Sequence, residues 1–157
     1  MNAPKVLALT AILSFASNAH AATYGSTKAI PMPFQGGATV MIQSDVTGPF
    51  QNARAYISVT LAGGTNLIPP GYQPPIGAVA NGASKTIKFS FKAPLHEPGK
   101  NISVFVVFVE ANEQYVGEPG PSRSLILVPR CKGTGKSTTC TYATARYWIE
   151  TTRVGSP

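Results

Sequence analysis

The longest apolar run beyond the N-terminal segment predicts the central strand of a β-sheet. In Asn101–Asn112 (NISVFVVFVEAN), every residue of the stretch Ile102–Val109 is apolar except one serine, and valine and phenylalanine predominate. These residue types favour strands over helices. Because both alternating sets of positions are apolar, we expect this strand to be covered on both faces.

Other segments show the alternation of half-buried strands. In Ala53–Leu61 and Lys85–Lys92, apolar and polar residues take turns, so each segment predicts a strand with one buried face. Ala38–Val46 and Arg123–Val128 predict two more strands, and glycine- and proline-rich turns separate them. Such spacing is typical of an all-β, antiparallel β-sandwich, here over residues 38–130. The predicted core contains Phe89, Phe91, Val104, Val106 and Phe108.

Two proline-containing segments are predicted to be extended. Residues 22–37 form an N-terminal arm that could lie along a sheet edge, since Pro31 and Pro33 exclude a central strand there. Leu67–Ala83 contains two Pro-Pro pairs, which predict an extended, unpaired connection crossing from one sheet to the other. Alternatively, this segment is an exposed loop that presents Tyr72 to a partner.

One part of the chain resembles a known family of β-sandwiches. Phe108–Asn112, followed by Gly117, Pro119–Ser122 and Leu125, is similar to the last hairpin of fibronectin type III and related immunoglobulin-like domains. In that family, a strand ending in an Ala-Asn-like pair meets a Gly/Pro/Ser loop and a final apolar strand. The resemblance covers roughly residues 85–128, and it implies an immunoglobulin-like β-sandwich with a binding or spacer role.

The C-terminal segment, residues 131–157, extends past such a domain. Cys131 and Cys140 enclose a polar loop, and Thr138–Thr152 is rich in threonine, tyrosine, tryptophan and isoleucine, which are strand-forming residues. We therefore predict an extra C-terminal β-hairpin stapled by a Cys131–Cys140 disulfide, followed by a basic, aromatic strand. No pattern with a period of 3.6 residues predicts a helix after residue 21.

Positive charge is concentrated in this same segment. Residues 22–157 contain 12 basic and six acidic residues, and five of the cations lie after Pro129, where Glu150 is the one acid. Cations interleaved with aromatic residues suit polyanions such as nucleic acid, acidic glycans or lipid head groups. The alternative is a solvated strand whose aromatic side chains pack on the sandwich. The candidate contacts are Arg130, Lys132, Lys136, Arg146, Tyr147, Trp148 and Arg153.

No pattern of residues predicts catalysis or a bound cofactor. The stretch Gly133–Ser137 resembles the end of a phosphate-binding loop, but Arg130 stands where that motif needs its first glycine, and a β-rich segment follows. His96 lies in a proline-rich loop without a recognisable nucleophile or orienting acid. We expect no catalytic residue, no metal site, no cofactor and no enzymatic activity.

The first 21 residues have the organisation of a signal peptide. Lys5 is followed by the apolar stretch Val6–Phe15, and Ala19 and Ala21 provide the small residues that a signal peptidase recognises. The apolar stretch is far shorter than the ~20 residues needed to span a bilayer. We therefore expect a secreted or periplasmic protein, and an oxidising compartment favours the disulfide.

These observations predict an exported, non-enzymatic interaction or adhesion module of the cell envelope. Its partner would be a protein or an anionic envelope component, either a polysaccharide or a lipid head group, and nucleic acid is less favoured. The alternative is a structural subunit of a surface fibre or pilus. In that case the arm or the C-terminal strand would add to the sheet of a neighbouring copy, giving self-assembly.

The signal peptide predicts the N-terminus of the exported protein. Cleavage after Ala21 should give a chain that begins at Ala22, and intact-mass spectrometry of the exported protein measures this directly. An exported form that still carries Met1 would contradict the prediction.

Overall fold

The computed structural model describes residues 22–111 and 124–155. The predicted signal peptide lies outside these residues, and so do Gly117 and Pro119–Ser122 of the immunoglobulin-like resemblance. The described elements are β1 (Thr23–Ile30), β2 (Phe34–Gln35), β3 (Thr39–Thr47), β4 (Phe50–Leu61), β5 (Thr65–Asn66), β6 (Pro75–Val79), β7 (Ser84–Lys92), β8 (Ile102–Glu110), β9 (Ser124–Lys132), β10 (Thr139–Thr144) and α1 (Ala145–Val154).

The strands form two antiparallel sheets that pack against each other. One sheet has the strand order β1-β3-β7. The other has the order β2-β10-β9-β8-β4-β5, with β6 also pairing with β4. The predicted all-β, antiparallel β-sandwich is confirmed, and the apolar run identified in the sequence is indeed a central strand, β8.

The core lies between the inner faces of the two sheets. Strands β4 and β8 pair with Ile57 opposite Val106, and β3 and β7 pair with Ile42 opposite Phe89. Along β3 and along β4 from Ala53 onward, the buried residues alternate with more exposed ones, as the period of two requires. The predicted core residues are all buried in one cluster: Phe89, Phe91, Val104, Val106 and Phe108.

The outer face of β8 is only partly covered. Val107 and Val109 are buried, but Phe105 is 47% exposed. The prediction of a strand covered on both faces is therefore wrong at Phe105. A two-layer sandwich buries one face of each sheet, so coverage of the other face depends on whichever segment happens to cross it.

The N-terminal arm lies along a sheet edge, which the sequence left open, and it does so in both sheets. Strand β1 pairs with β3 at the edge of the three-stranded sheet, and β2 pairs with β10 at the edge of the larger one. Pro31 and Pro33 fall between the two strands, where no ladder hydrogen bond is required of them. The arm therefore links the two layers.

The connection Leu67–Ala83 crosses from the larger sheet to the smaller one as predicted, and Ile76 and Val79 are buried. It is not unpaired, however, since residues 75–79 form β6 on the edge of β4. Just before β6, the carbonyl of Pro74 accepts a hydrogen bond of 3.0 Å from the backbone N–H of Ala55. The long strand β4 leaves backbone donors open on this side, and the proline-rich segment satisfies them.

The prediction of a C-terminal strand over Thr138–Thr152 is wrong beyond Thr144. Strand β10 ends there, and residues 145–154 form the helix α1. The Thr144 side chain caps this helix by accepting a hydrogen bond of 3.2 Å from the backbone N–H of Tyr147. Threonine and aromatic residues favour strands on average, but a cap and tertiary contacts outweigh that preference.

The helix packs on the outer face of β9 and β10. The indole Nε1 of Trp148 donates a hydrogen bond of 3.1 Å to the carbonyl of Val128, and Ala143 beneath the helix is fully buried. Arg146 and Glu150, one turn apart, form an ion pair of 2.9 Å on the exposed side. No helix among residues 22–111 and 124–155 combines the length and apolar character needed to cross a membrane.

Truncating a buried side chain on the inner face of β8 should greatly lower the free energy of unfolding. Phe108 is fully buried, so Phe108→Ala should cost ~3–5 kcal/mol by leaving a cavity. Phe105→Ala, on the exposed side of the same strand, is the matched control and should cost much less. Denaturant unfolding of both variants measures the difference. Equal midpoints for the two variants would contradict the assignment of the core face.

The buried hydroxyl of Tyr142 predicts a second, pH-dependent effect. Burial raises the pKa of Tyr142 above its ordinary value of 10.0, and the negative charge of Glu97 raises it further. The folded state therefore holds this proton more tightly than the unfolded chain, so the corresponding stability is present below pH 10 and is lost as the pH rises above it.

Tyr142→Phe removes this group and tests the effect. No described residue accepts or donates a hydrogen bond at the Tyr142 hydroxyl, so the variant should keep the parent's stability at neutral pH to within ~1 kcal/mol. Above pH 10 it should lose stability less steeply than the parent. Unfolding in denaturant at neutral and alkaline pH measures both, and parallel pH profiles would argue against a perturbed Tyr142.

Candidate functional site

A disulfide joins β9 and β10 directly across the ladder. Cys131 pairs with Cys140, and their sulfur atoms are 2.08 Å apart. The loop between them contains a 3₁₀ turn at Gly135–Ser137. The predicted disulfide and C-terminal hairpin are confirmed. In the chain-entropy description, closing a loop of about ten residues contributes ~2.7 kcal/mol to stability.

Polar side chains line the outer face of the sheet beside this disulfide. Thr141 of β10 pairs with Gln35 of β2 on one side and with Arg130 of β9 on the other. In the next row, towards the hairpin tip, Thr139 pairs with Lys132. Because neighbouring positions such as Phe34 and Tyr142 face the core, these polar side chains point outward.

Helix α1 places one aromatic side chain, that of Trp148, beside this polar surface. The guanidinium carbon of Arg130 lies 4.4 Å from the centroid of the Trp148 ring, which is a cation–π contact. Trp148 is itself held by its hydrogen bond to Val128 and by an edge-on contact with Tyr147, with ring centroids 5.4 Å apart. The tryptophan therefore limits the positions open to the arginine side chain.

Together these residues form one cleft of about 430 Å³, which we call the cationic cleft. Its lining offers two positive charges, two hydroxyls, one amide and one aromatic face. A guanidinium binds carboxylate and phosphate groups through paired hydrogen bonds. The hydroxyls and the amide can form hydrogen bonds with the hydroxyls of a sugar. The lining residues are Pro33, Gln35, Arg130, Lys132, Thr139, Thr141 and Trp148.

The remaining candidates from the C-terminal segment lie outside the cleft. Arg153 lies on the other side of Trp148, in a second groove of about 270 Å³ that Arg130 also lines. Lys136 belongs to the exposed 3₁₀ turn, and Arg146 is paired with Glu150. Tyr147 supports Trp148 rather than lining the cleft. The structure thus brings three of the seven candidates into one site, with Arg153 beside it.

Tyr72, the candidate loop contact, belongs to a different part of the sandwich. Its side chain is 42% exposed, and its backbone carbonyl accepts a hydrogen bond of 3.3 Å from the N–H of Ile57. It therefore lies beside β4, on the opposite side of the larger sheet from β10. Tyr72 and the cationic cleft do not form a common surface.

Four residues of the cleft were not identified from the sequence. Thr139 and Thr141 alternate with buried positions of β10, and this alternation was a usable signal. Pro33 and Gln35 carry no such signal, because they reach the cleft only through the pairing of β2 with β10.

His96, which was considered for acid–base chemistry, makes a structural contact in the fold. Nδ1 of His96 lies 2.5 Å from the carbonyl oxygen of Thr138, so the ring contributes to holding the hairpin against the loop before β8. Within residues 22–111 and 124–155, no group of three or more His, Cys, Asp and Glu side chains is arranged to hold a metal ion.

Comparisons with protein-family models, with curated proteins and with solved structures found no significant match to this chain. Membership of the fibronectin type III or immunoglobulin-like families therefore stays a prediction. The geometry of the described residues is therefore the basis for a functional proposal.

Proposed function

We propose that this chain is an exported, non-enzymatic interaction module of the cell envelope and that the cationic cleft binds an acidic polysaccharide. The observation that carries the proposal is the contact between Arg130 and Trp148 at the edge of a cleft lined with hydroxyls. The arginine supplies charge for a carboxylate, and the polar floor supplies hydrogen bonds. A secreted or periplasmic location follows from the predicted signal peptide and agrees with the disulfide.

The shape of the cleft favours a polysaccharide over the other polyanions considered. Stacking of successive bases on aromatic side chains usually accompanies single-stranded nucleic acid binding. The cleft offers one tryptophan, and the guanidinium of Arg130 already lies over its ring. Thr139 and Thr141 stand next to the cations, where they can bond the hydroxyls of a sugar that carries a carboxylate. A protein partner or a lipid head group would engage fewer of the cations, hydroxyls and amide of the cleft at the same time.

The alternative, a fibre subunit that assembles by strand addition, receives less support. The arm and the C-terminal strand were the segments expected to pair with a neighbour. In the structure β1 pairs with β3, while β10 lies between β2 and β9. A donor strand must be free to leave its own chain. Size measurement on the exported protein tests this alternative, which requires ladders or filaments rather than a discrete small species.

Replacing Arg130 provides the sharpest test of the cleft. Arg130→Gln should weaken binding to polygalacturonate about tenfold to a hundredfold, because a charge-assisted hydrogen bond contributes roughly 1.5–3 kcal/mol. Binding of the parent should also weaken with added salt, since the interaction is between exposed charges. Titration calorimetry with polygalacturonate measures the affinity, and neutral dextran is the uncharged reference ligand.

Arg146→Gln is the matched control for this test. It removes one charge from the same segment, but Arg146 lies outside the cleft in an exposed ion pair with Glu150. We expect it to bind almost as the parent does. Equal losses in the two variants would show only a general effect of net charge, and no binding by the parent at low salt would refute the proposal.

A further inference from the structure

The outer face of the three-stranded sheet carries three lysines on the side of the sandwich opposite the cationic cleft. Lys28 of β1 and Lys88 of β7 both pair with Gln43 of β3, so they lie in one row across the sheet. Lys92 pairs with Thr39 near the end of the same face. The inward residues beside them, Ala29, Phe89 and Phe91, are buried, and all three lysines are exposed. We call this surface the lysine face (Lys28, Lys88 and Lys92).

The three lysines are spread along and across one face of the sheet. Two interstrand steps of ~4.8 Å place Lys28 and Lys88 about 10 Å apart, and four residues of extended strand place Lys92 about 14 Å from Lys88. The first separation is about one Debye length (~8–10 Å at moderate salt) and the second is longer, so the lysines repel one another only weakly. An anionic surface in front of the sheet would interact with all three charges together.

The positive charge of this face is largely uncompensated. None of the three lysines forms an ion pair with a described residue. Asp45 is the one described carboxylate on the same face, and it accepts a hydrogen bond of 2.5 Å from the Thr86 hydroxyl. By comparison, Lys100 forms an ion pair of 2.8 Å with Glu97 elsewhere on the surface.

The chemistry of the lysine face differs from that of the cationic cleft. Lysine presents a compact charge on a flexible stem, without the planar fork with which arginine recognises one carboxylate. Between the two lysine rows lies the row Ile30–Met41–Ser90, in which Ile30 is 37% exposed. A sheet face with cations on either side of two apolar side chains, Ile30 and Met41, suits a plane of phosphate groups above hydrocarbon better than a single shaped ligand.

We propose that the lysine face docks on an anionic lipid head-group surface. The three-stranded sheet would then lie against the bilayer, and the cationic cleft on the other sheet would point away from it. This proposal does not depend on what the cleft binds. If the cleft does hold an acidic polysaccharide, the protein tethers that polymer to the membrane surface.

Co-sedimentation with lipid vesicles tests the docking. The purified exported protein should bind vesicles of mixed phosphatidylcholine and phosphatidylglycerol, and it should not bind pure phosphatidylcholine. Each lysine near an anionic surface changes the partition coefficient about fivefold, so K28Q/K88Q/K92Q should reduce binding on the order of a hundredfold. No binding of the parent to the mixed vesicles at low salt would overturn the proposal.

A control variant with the same net charge separates location from total charge. K100Q/K136Q/R146Q also removes three cations, but these residues lie away from the lysine face, in the loop before β8, in the hairpin tip and on α1. It should keep most of the vesicle binding. Equal losses in the two triple variants would overturn the proposal, because the attraction would then come from overall charge.

Trp148 reports the orientation of the bound protein. It is the single tryptophan of the chain and lies on the outer side of the larger sheet, away from the lysine face. Brominated lipids quench tryptophan that reaches the acyl chains, so docking through the lysine face should leave the Trp148 emission unquenched. Strong quenching would overturn the proposal and would place the basic C-terminal segment at the membrane instead.

The variants also distinguish docking from two other outcomes. Arg130→Gln should lose polygalacturonate binding but keep vesicle binding, so failure of the cleft and failure of the lysine face are separable. Lysines on an edge strand such as β7 can instead serve to block pairing with other chains. Self-association of K28Q/K88Q/K92Q in size-exclusion chromatography, with vesicle binding unchanged, would establish that role and overturn docking.

Discussion

Packing between the inner faces of the two sheets is the constraint on which the remaining structure depends. On β8, every inward side chain from Ile102 to Phe108 is fully buried, and Ile42 on β3 faces them in the same core cluster. Burying such side chains is the dominant favourable term in folding. Because strands alternate with a period of two, this packing also determines which residues must point outward, and the candidate sites consist of those residues.

The cationic cleft depends on three additions at one end of the larger sheet. The disulfide holds β9 and β10 together, the arm extends the sheet through β2, and α1 places Trp148 beside Arg130. Removing Trp148 would leave Arg130 without its cation–π contact, and the disulfide and β2 hold the neighbouring residues of the lining in place. A rigid framework reduces the entropy that binding must overcome, which is why such a cleft is better suited to recognition than a mobile basic tail.

The two outer faces of the sandwich offer different kinds of positive surface. One carries an arginine restrained by an aromatic ring in a cleft, and the other carries lysines spread over a flat sheet. Arginine favours oriented recognition of a carboxylate, whereas lysine clusters favour extended anionic surfaces. A β-sandwich can hold two such surfaces apart because its core keeps the sheets in a fixed arrangement, so the two proposals can be tested independently.

The sequence by itself determined the five main strands β3, β4, β7, β8 and β9, the core, the disulfide and the location of the excess charge. Each follows from a local pattern: alternation in Ala53–Leu61, an apolar run in β8, and two cysteines nine positions apart. Only the tertiary structure decided that residues 145–154 form a helix, because the packing of Trp148 on β9 outweighs a local preference for strand. It also decided the composition of the cleft. Gln35 and Thr141 are distant in sequence and meet only when β2 pairs with β10, and no local periodicity encodes such long-range pairing.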